Sequence, residues 1–174
     1  PRGVAIDREL NKTIIGNSHD NTVSIIDLTP FLFPPYQGGT QGGITPIPVG
    51  KAPEGIAVDP SNHTALVANH KDGTVSVIDL TNNSVIRTIS VGQEPNDIAI
   101  DPELNLALVT NEKDYTVSVI DLITYQIIEN IPVGQKPQAI DINPETHIAA
   151  VVNGKDNTII VINLNPPSPP FRKG

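Results

Sequence analysis

The sequence predicts an all-β fold: a β-propeller made of four-stranded antiparallel blades, about four of them in this chain. Three observations carry that prediction. A unit recurs at a constant step of 42 residues, marked by Pro53, Pro95 and Pro137, and periods of this length belong to propellers and solenoids. The apolar residues are mainly Val and Ile, with aromatics at only 3% and no Trp, Met or Cys, which suits pleated sheets packed face to face. Finally, the apolar runs within a unit are short and nearly continuous, so both faces of each sheet must be covered.

Val49–Ser90, reading VGKAPEGIAVDPSNHTALVANHKDGTVSVIDLTNNSVIRTIS, defines the unit. Val49-Gly50 followed by Pro53 is a turn signal. Gly55–Asp59 is a short apolar strand closed by Asp59-Pro60, because proline cannot continue the ladder. The polar turn Ser61–Thr64 leads into a second strand, Ala65–Asn69, and the tight loop His70–Gly73 into a third, Thr74–Leu80. Thr81–Ser84 then turns the chain into a fourth strand, Val85–Ile89, whose Arg87 and Thr88 mark a wetter outer edge. Four short strands joined by tight turns form an antiparallel meander. A sheet apolar on both faces needs a like sheet on either side, which is the packing of blades about an axis. A β-solenoid competes, but its coils take fewer residues and carry parallel strands, so the propeller is favoured.

Blade 1 spans residues 1–48, blade 2 49–90, blade 3 91–132 and blade 4 133–164, with a Pro-rich tail or linker at 165–174. Blade 1 opens with PRGVAID, matching PEGIAVD at Pro53–Asp59, and departs from the repeat at Thr29–Pro48. That insertion holds Phe31, Phe33 and Tyr36 among prolines and glycines. It is expected either to fold back on its own blade as a loop or to serve as an interaction loop, since exposed aromatics beside glycines are common at contact surfaces. In blade 4 the prolines of NPPSPPFRKG lack N–H donors, and an extended exit is expected where the outer strand would be. The chain starts with an innermost strand and without Met. Three closures are therefore open: a four-bladed ring, a piece of a larger propeller, or one partner in an eight-bladed ring. The last two are favoured, because an unclosed blade exposes sheet surface.

The net charge of −8 is spread without a basic patch, which argues against nucleic acid or an anionic membrane surface as partner. No stretch approaches the ~20 apolar residues of a membrane span, so no membrane insertion is expected. With no cysteine, disulfides, thiolate metal sites and a cysteine nucleophile are excluded.

The run VGxxPxxIAxDPxxxxALVxNxxDxTVSVID resembles the YVTN-type β-propeller repeat of secreted and cell-surface proteins, the YncE-like proteins among them. Val109-Thr110-Asn111 carries three of the four namesake residues, while Leu66, Leu108 and Val151 stand where that family often has tyrosine. The resemblance covers nearly the whole chain apart from the insertion and the tail. It implies a propeller at an extracellular, cell-surface or periplasmic location, and it implies no particular activity.

Strand direction sorts the loops. The loops 49–54, 91–96 and 133–138 are expected to share one end with 69–73, 111–115 and 153–157. Asn-x-x-Asp-x-Thr recurs in all four copies (Asn17, Asn69, Asn111 and Asn153 begin it). Its oxygens suit Ca²⁺, but one carboxylate per loop falls short of 6–8 ligands, so Asx-type turns are favoured. Asp7, Asp59, Asp101 and the matching Asn143 end the innermost strands; they either line an acidic channel mouth or fix the turns that follow, the second being favoured. His63 and His147 hold equivalent turns two blades apart, too far to share a metal, and His19 and His70 lie one step out of register. Ser24, Ser76 and Ser118 repeat at one strand position and read as packing residues. No Gly-x-Ser-x-Gly elbow, phosphate loop or HExxH motif is present.

The expectation is thus a non-catalytic propeller acting as a scaffold or protein-binding module, with no catalytic residues, no cofactor and no metal, and with a protein partner or self-association. The expected contact surfaces are the insertion with Phe31, Phe33 and Tyr36, and the loop end carrying Lys51, His70, Lys71, Lys113, Lys136 and Lys155. The alternative is the propeller domain of an enzyme, lactonase-like or holding the cofactor of a redox enzyme. That alternative needs a converging set of acids or histidines at the axis, and the sequence shows no such set in these blades.

Overall fold

The structure, a computed structural model, describes residues 1–29 and 44–165. Among the described residues, fifteen strands build four antiparallel sheets, and each sheet is a meander in chain order. Blade 1 holds β1 (Val4–Asp7), β2 (Lys12–Asn17), β3 (Thr22–Asp27) and β4 (Ile44–Pro48). Blade 2 holds β5 (Pro53–Asp59), β6 (Thr64–Asn69), β7 (Thr74–Asp79) and β8 (Ser84–Ser90). Blade 3 holds β9 (Pro95–Asp101), β10 (Leu106–Asn111), β11 (Thr116–Asp121) and β12 (Gln126–Pro132). Blade 4 holds β13 (Pro137–Asn143), β14 (Ile148–Asn153) and β15 (Thr158–Asn163). The first strands lie side by side, β1 against β5, β5 against β9 and β9 against β13, so the sheets fan out from a common axis. No helix of the described residues is long and apolar enough to cross a membrane.

The continuous apolar runs are explained by where the core sits. It forms three clusters, one per blade–blade junction. Ile14, Val23 and Ile25 of blade 1 meet Ala65, Val67 and Ile78 of blade 2. Leu66, Val75 and Val77 on the other face of blade 2 meet Ile98, Val109 and Ile120 of blade 3. Leu108, Val117 and Val119 meet Ile140, Ala149 and Val151 of blade 4. Every residue of β6 is therefore buried, because alternate side chains serve different neighbours.

Local chemistry repeats with the blades. Non-glycine residues in the left-handed region mark equivalent turns: Asn11, His63, Asn105 and His147 between first and second strands, and Asn21, Tyr115 and Asn157 between second and third. Gly73 takes that place in blade 2, where a positive φ costs glycine nothing. Asn69 Nδ2 donates to Thr74 Oγ1 and Ser76 Oγ, and Asn111 Nδ2 to Thr116 Oγ1 and Ser118 Oγ. The repeated serines are thus hydrogen-bond acceptors as well as packing residues. Asp72 and Asp114 each accept a backbone N–H at 2.8 Å, from Lys51 and Gln93, so these carboxylates tie two loops of one blade together. Asp7, Asp101 and Asn143 each accept two N–H groups of the turn that follows.

The insertion departs from its expected description in one respect. Its last residues, Ile44–Pro48, form the outer strand of blade 1, paired with β3. Pro46 and Pro48 are tolerated there because an outer edge strand needs no N–H on its free side. In blades 2 and 3 the register against the outer strand shifts between Val77 and Ile78 and between Val119 and Ile120; such bulges twist an edge away from foreign strands. Phe31, Phe33 and Tyr36, and all of the tail beyond Asn165, lie outside the described residues.

Candidate functional site

The innermost strands begin at one end of the axis, and their first residues form the site. Arg2, Glu54, Asn96 and Gln138 hold the same place in the four copies, one residue after Pro1, Pro53, Pro95 and Pro137. The structure brings all four to a single cavity of about 380 Å³ on the axis, with Asp97 beside them. The strands around it are tightly packed. A Cβ on Gly3 would lie 2.0 Å from the Glu54 carbonyl oxygen, and one on Gly55 would lie 2.5 Å from that of Asn96. Glycine here serves close approach of backbones.

Polar contacts link neighbouring blades around this mouth. Arg2 Nη1 lies 3.1 Å from Glu54 Oε1. Asn96 Nδ2 donates to Glu112 Oε2 at 2.8 Å, and Glu112 Oε1 pairs with Lys136 Nζ at 3.4 Å. Asp97 stands where blades 1 and 2 have glycine, and its carboxylate accepts Ile98 N–H at 3.0 Å and Ile140 N–H at 3.1 Å, bridging blades 3 and 4. Burial pushes its pKa above the usual carboxylate value; the two N–H donors oppose that rise and the charge of Asp141 adds to it. The mouth therefore combines a guanidinium, two carboxylates and two amides in four-fold unequal chemistry.

The residues expected from the sequence lie around this end. Lys51 and Lys71 line a cavity of about 430 Å³ next to the mouth, shared with Arg2, His19 and Glu54. His70, Lys71 and Lys113 line another of about 320 Å³ between blades 2 and 3. The loops share an end, as Lys71 N donates to Lys51 O, Lys113 N to Gln93 O and Lys155 N to Gln135 O. Lys155 is exposed. Sequence reasoning missed the axial quartet, although a signal existed: the residue after each marker proline is a different polar residue in every copy. It also missed two clamps at the opposite end. His63 Nδ1 donates to Asp7 Oδ2 at 3.1 Å, and His147 Nδ1 to Asp101 Oδ2 at 2.8 Å. Each joins a turn to the fully buried aspartate of the preceding blade.

Comparison with known proteins bears on what the mouth serves. Residues 58–167 match the family described as the Cytochrome D1 heme domain. No curated protein matches the chain. Among solved structures, hydrazine synthase of Kuenenia stuttgartiensis superposes with a TM-score of 0.81 at 21% identity, over 94% of this chain and 46% of that one. That likeness is one of fold, and the chain spans under half the length of the structure it matches. Haem iron is held by histidine, thiolate, thioether or phenolate ligands. The mouth offers none of these, and no metal-holding group of three His, Cys, Asp or Glu occurs among the described residues. The lining of the mouth itself does not fit an iron centre.

The expectation of a non-enzyme is nevertheless overturned by the family match, which ties this propeller to redox-enzyme relatives. The repeated residues that carried that expectation are the ones that build blades, so their inertness says nothing about positions that do not repeat. The match is also to a different propeller family from the one the YVTN-like run resembles. With 110 of its 174 residues aligned (58 to 167), the chain belongs to the cytochrome D1 heme domain family.

Proposed function

We propose that the chain serves as part of the propeller domain of a redox enzyme, its axial mouth giving polar contacts to the group held there and no iron ligand. One observation carries this reading: the repeat position that differs in every blade, Arg2, Glu54, Asn96 and Gln138, converges on one cavity at the axis. Function needs asymmetry, and the asymmetry of this chain gathers there. A guanidinium suits the carboxylates at the polar edge of a macrocycle, and Arg2, with its side chain 66% exposed, is the cationic member of the quartet. The YVTN-like residues agree with the role, because Val109, Thr110 and Asn111 are buried in a blade and leave the axis free.

The test is a titration of the purified chain with hemin, followed by absorbance. Saturable binding is expected. Arg2→Ala should weaken it about tenfold, the equivalent of ~1.4 kcal/mol, without moving the Soret band, because no iron ligand is lost. Absence of saturable binding, or binding that Arg2→Ala leaves untouched, would reject the assignment.

A further inference from the structure

We propose that two blade junctions each bind a divalent transition ion of the Zn²⁺ kind, held by His63 and Glu9 between blades 1 and 2 and by His147 and Glu103 between blades 3 and 4. Both pairs lie at the end of the propeller away from the mouth, apart from the proposed cofactor role. Asp7 and Asp101 are 0% exposed and fully engaged. Oδ1 of each accepts two N–H groups of the turn that follows. Oδ2 accepts Nδ1–H of the next blade's histidine, at 3.1 Å and 2.8 Å. A carboxylate only accepts, so the ring proton sits on Nδ1 and the lone pair of the neutral imidazole on Nε2. Each Nε2 faces the glutamate two residues after the aspartate: Glu9 Oε2 at 3.7 Å and Glu103 Oε2 at 3.9 Å. Those gaps are too long for a hydrogen bond. Zn²⁺ at its usual distances from a nitrogen and an oxygen, in tetrahedral geometry, sets the two about 3.4 Å apart. Glu9 and Glu103, with side chains 70% and 68% exposed, reach that spacing by a small movement. A carboxylate on Nδ1 is also what orients a metal-bound histidine and raises its basicity. No third side chain of a metal-holding group joins either pair among the described residues, so water fills the remaining positions.

The repeats contain their own control. Turn geometry does not require histidine here, because the equivalent Asn11 and Asn105 take the same left-handed backbone. Nor does the buried aspartate require it. At the junction of blades 2 and 3, Asp59 is 1% exposed, and its Oδ2 is satisfied by Asn62 Nδ2 at 2.8 Å. There Asn105 stands in the histidine's place and Ser61 in the glutamate's. Histidine and glutamate are thus present together at two junctions and absent together at the third. A histidine serving the aspartate alone has no need of the glutamate; one that shares an ion with it does. Because each ion has one ligand from either blade, it also staples the junction it occupies.

The experiment is a titration of the full chain with Zn²⁺ at neutral pH, followed by long-range proton–nitrogen correlation spectra of its four histidines. His63 and His147 are expected to saturate, with Nε2 as the nitrogen that shifts and Nδ1 keeping its proton. His19 and His70 should not respond at the concentrations that saturate the other two. Glu9→Ser and Glu103→Ser give blades 1 and 3 the residue that blade 2 carries, and both positions are exposed, so the fold is kept. Each variant should raise the Kd of its own site at least about tenfold and leave the other site unchanged. No saturable response, coordination through Nδ1, an equal response from all four histidines, or glutamate variants with the Kd of the wild type would each overturn the proposal.

Discussion

Replacing Gly55 by alanine tests how the axial end is built. A Cβ there would sit 2.5 Å from the Asn96 carbonyl oxygen and 2.7 Å from the Asp97 Cα, both backbone atoms of the next blade. Backbone cannot rotate away as a side chain can, so relief requires β5 and β9 to separate. Overpacking of this kind costs about 1–3 kcal/mol, which for a chain of this size lowers Tm by about 2–12 °C. Gly154 is the internal control. A Cβ there would meet Gln138 Oε1 at 2.2 Å, which is the far end of a flexible side chain. Gly154→Ala should therefore change stability by less than about 0.5 kcal/mol, with a gain allowed from the less flexible unfolded chain. Urea denaturation followed by far-UV circular dichroism measures both. Equal stability losses in the two variants would refute the claim that blade-to-blade backbone contact, and not glycine content, holds the mouth closed.

Two further outcomes follow from buried carboxyl groups. Removal of the His147 imidazole leaves Asp101 Oδ2 buried without its 2.8 Å donor, so His147→Ala should cost about 1–3 kcal/mol. Asn105→Ala, at the equivalent turn of blade 3, should cost less because no histidine–aspartate bond is lost; similar losses in urea would count against the clamp. Asp97 has a raised folded-state pKa, so its contribution to stability is fully present below the unfolded value of 3.8 and is lost as pH rises through the folded one. Asp97→Asn keeps an acceptor for Ile140 N–H and removes that titration. Its stability relative to wild type should rise with pH from below 3.8 and then level off; a flat difference across that range would show that Asp97 does not titrate in this way.

Much of the fold is legible in the order of the amino acids. A 42-residue period of Val- and Ile-rich strands is a one-dimensional statement of a radial array. The strands of blade 2 fall within about two residues of their expected bounds, because Asp-Pro, Asn-x-x-Asp and Gly punctuate the chain by local chemistry. The outer strand β4 is hidden by its own prolines, which matter inside a sheet and not at its edge. The His63–Asp7 and His147–Asp101 contacts are hidden for another reason: residues 56 and 46 positions apart meet only once blades stack.

By itself, then, the sequence determined the blade, its turns and the number of copies, since these depend on neighbours along the chain and on which faces are greasy. The tertiary structure alone decided that Arg2, Glu54, Asn96 and Gln138 share one cavity. Each is an ordinary polar residue within its own copy. Only the fanning of strands about an axis brings the same position of every repeat to one place, and so turns variation along the chain into a site.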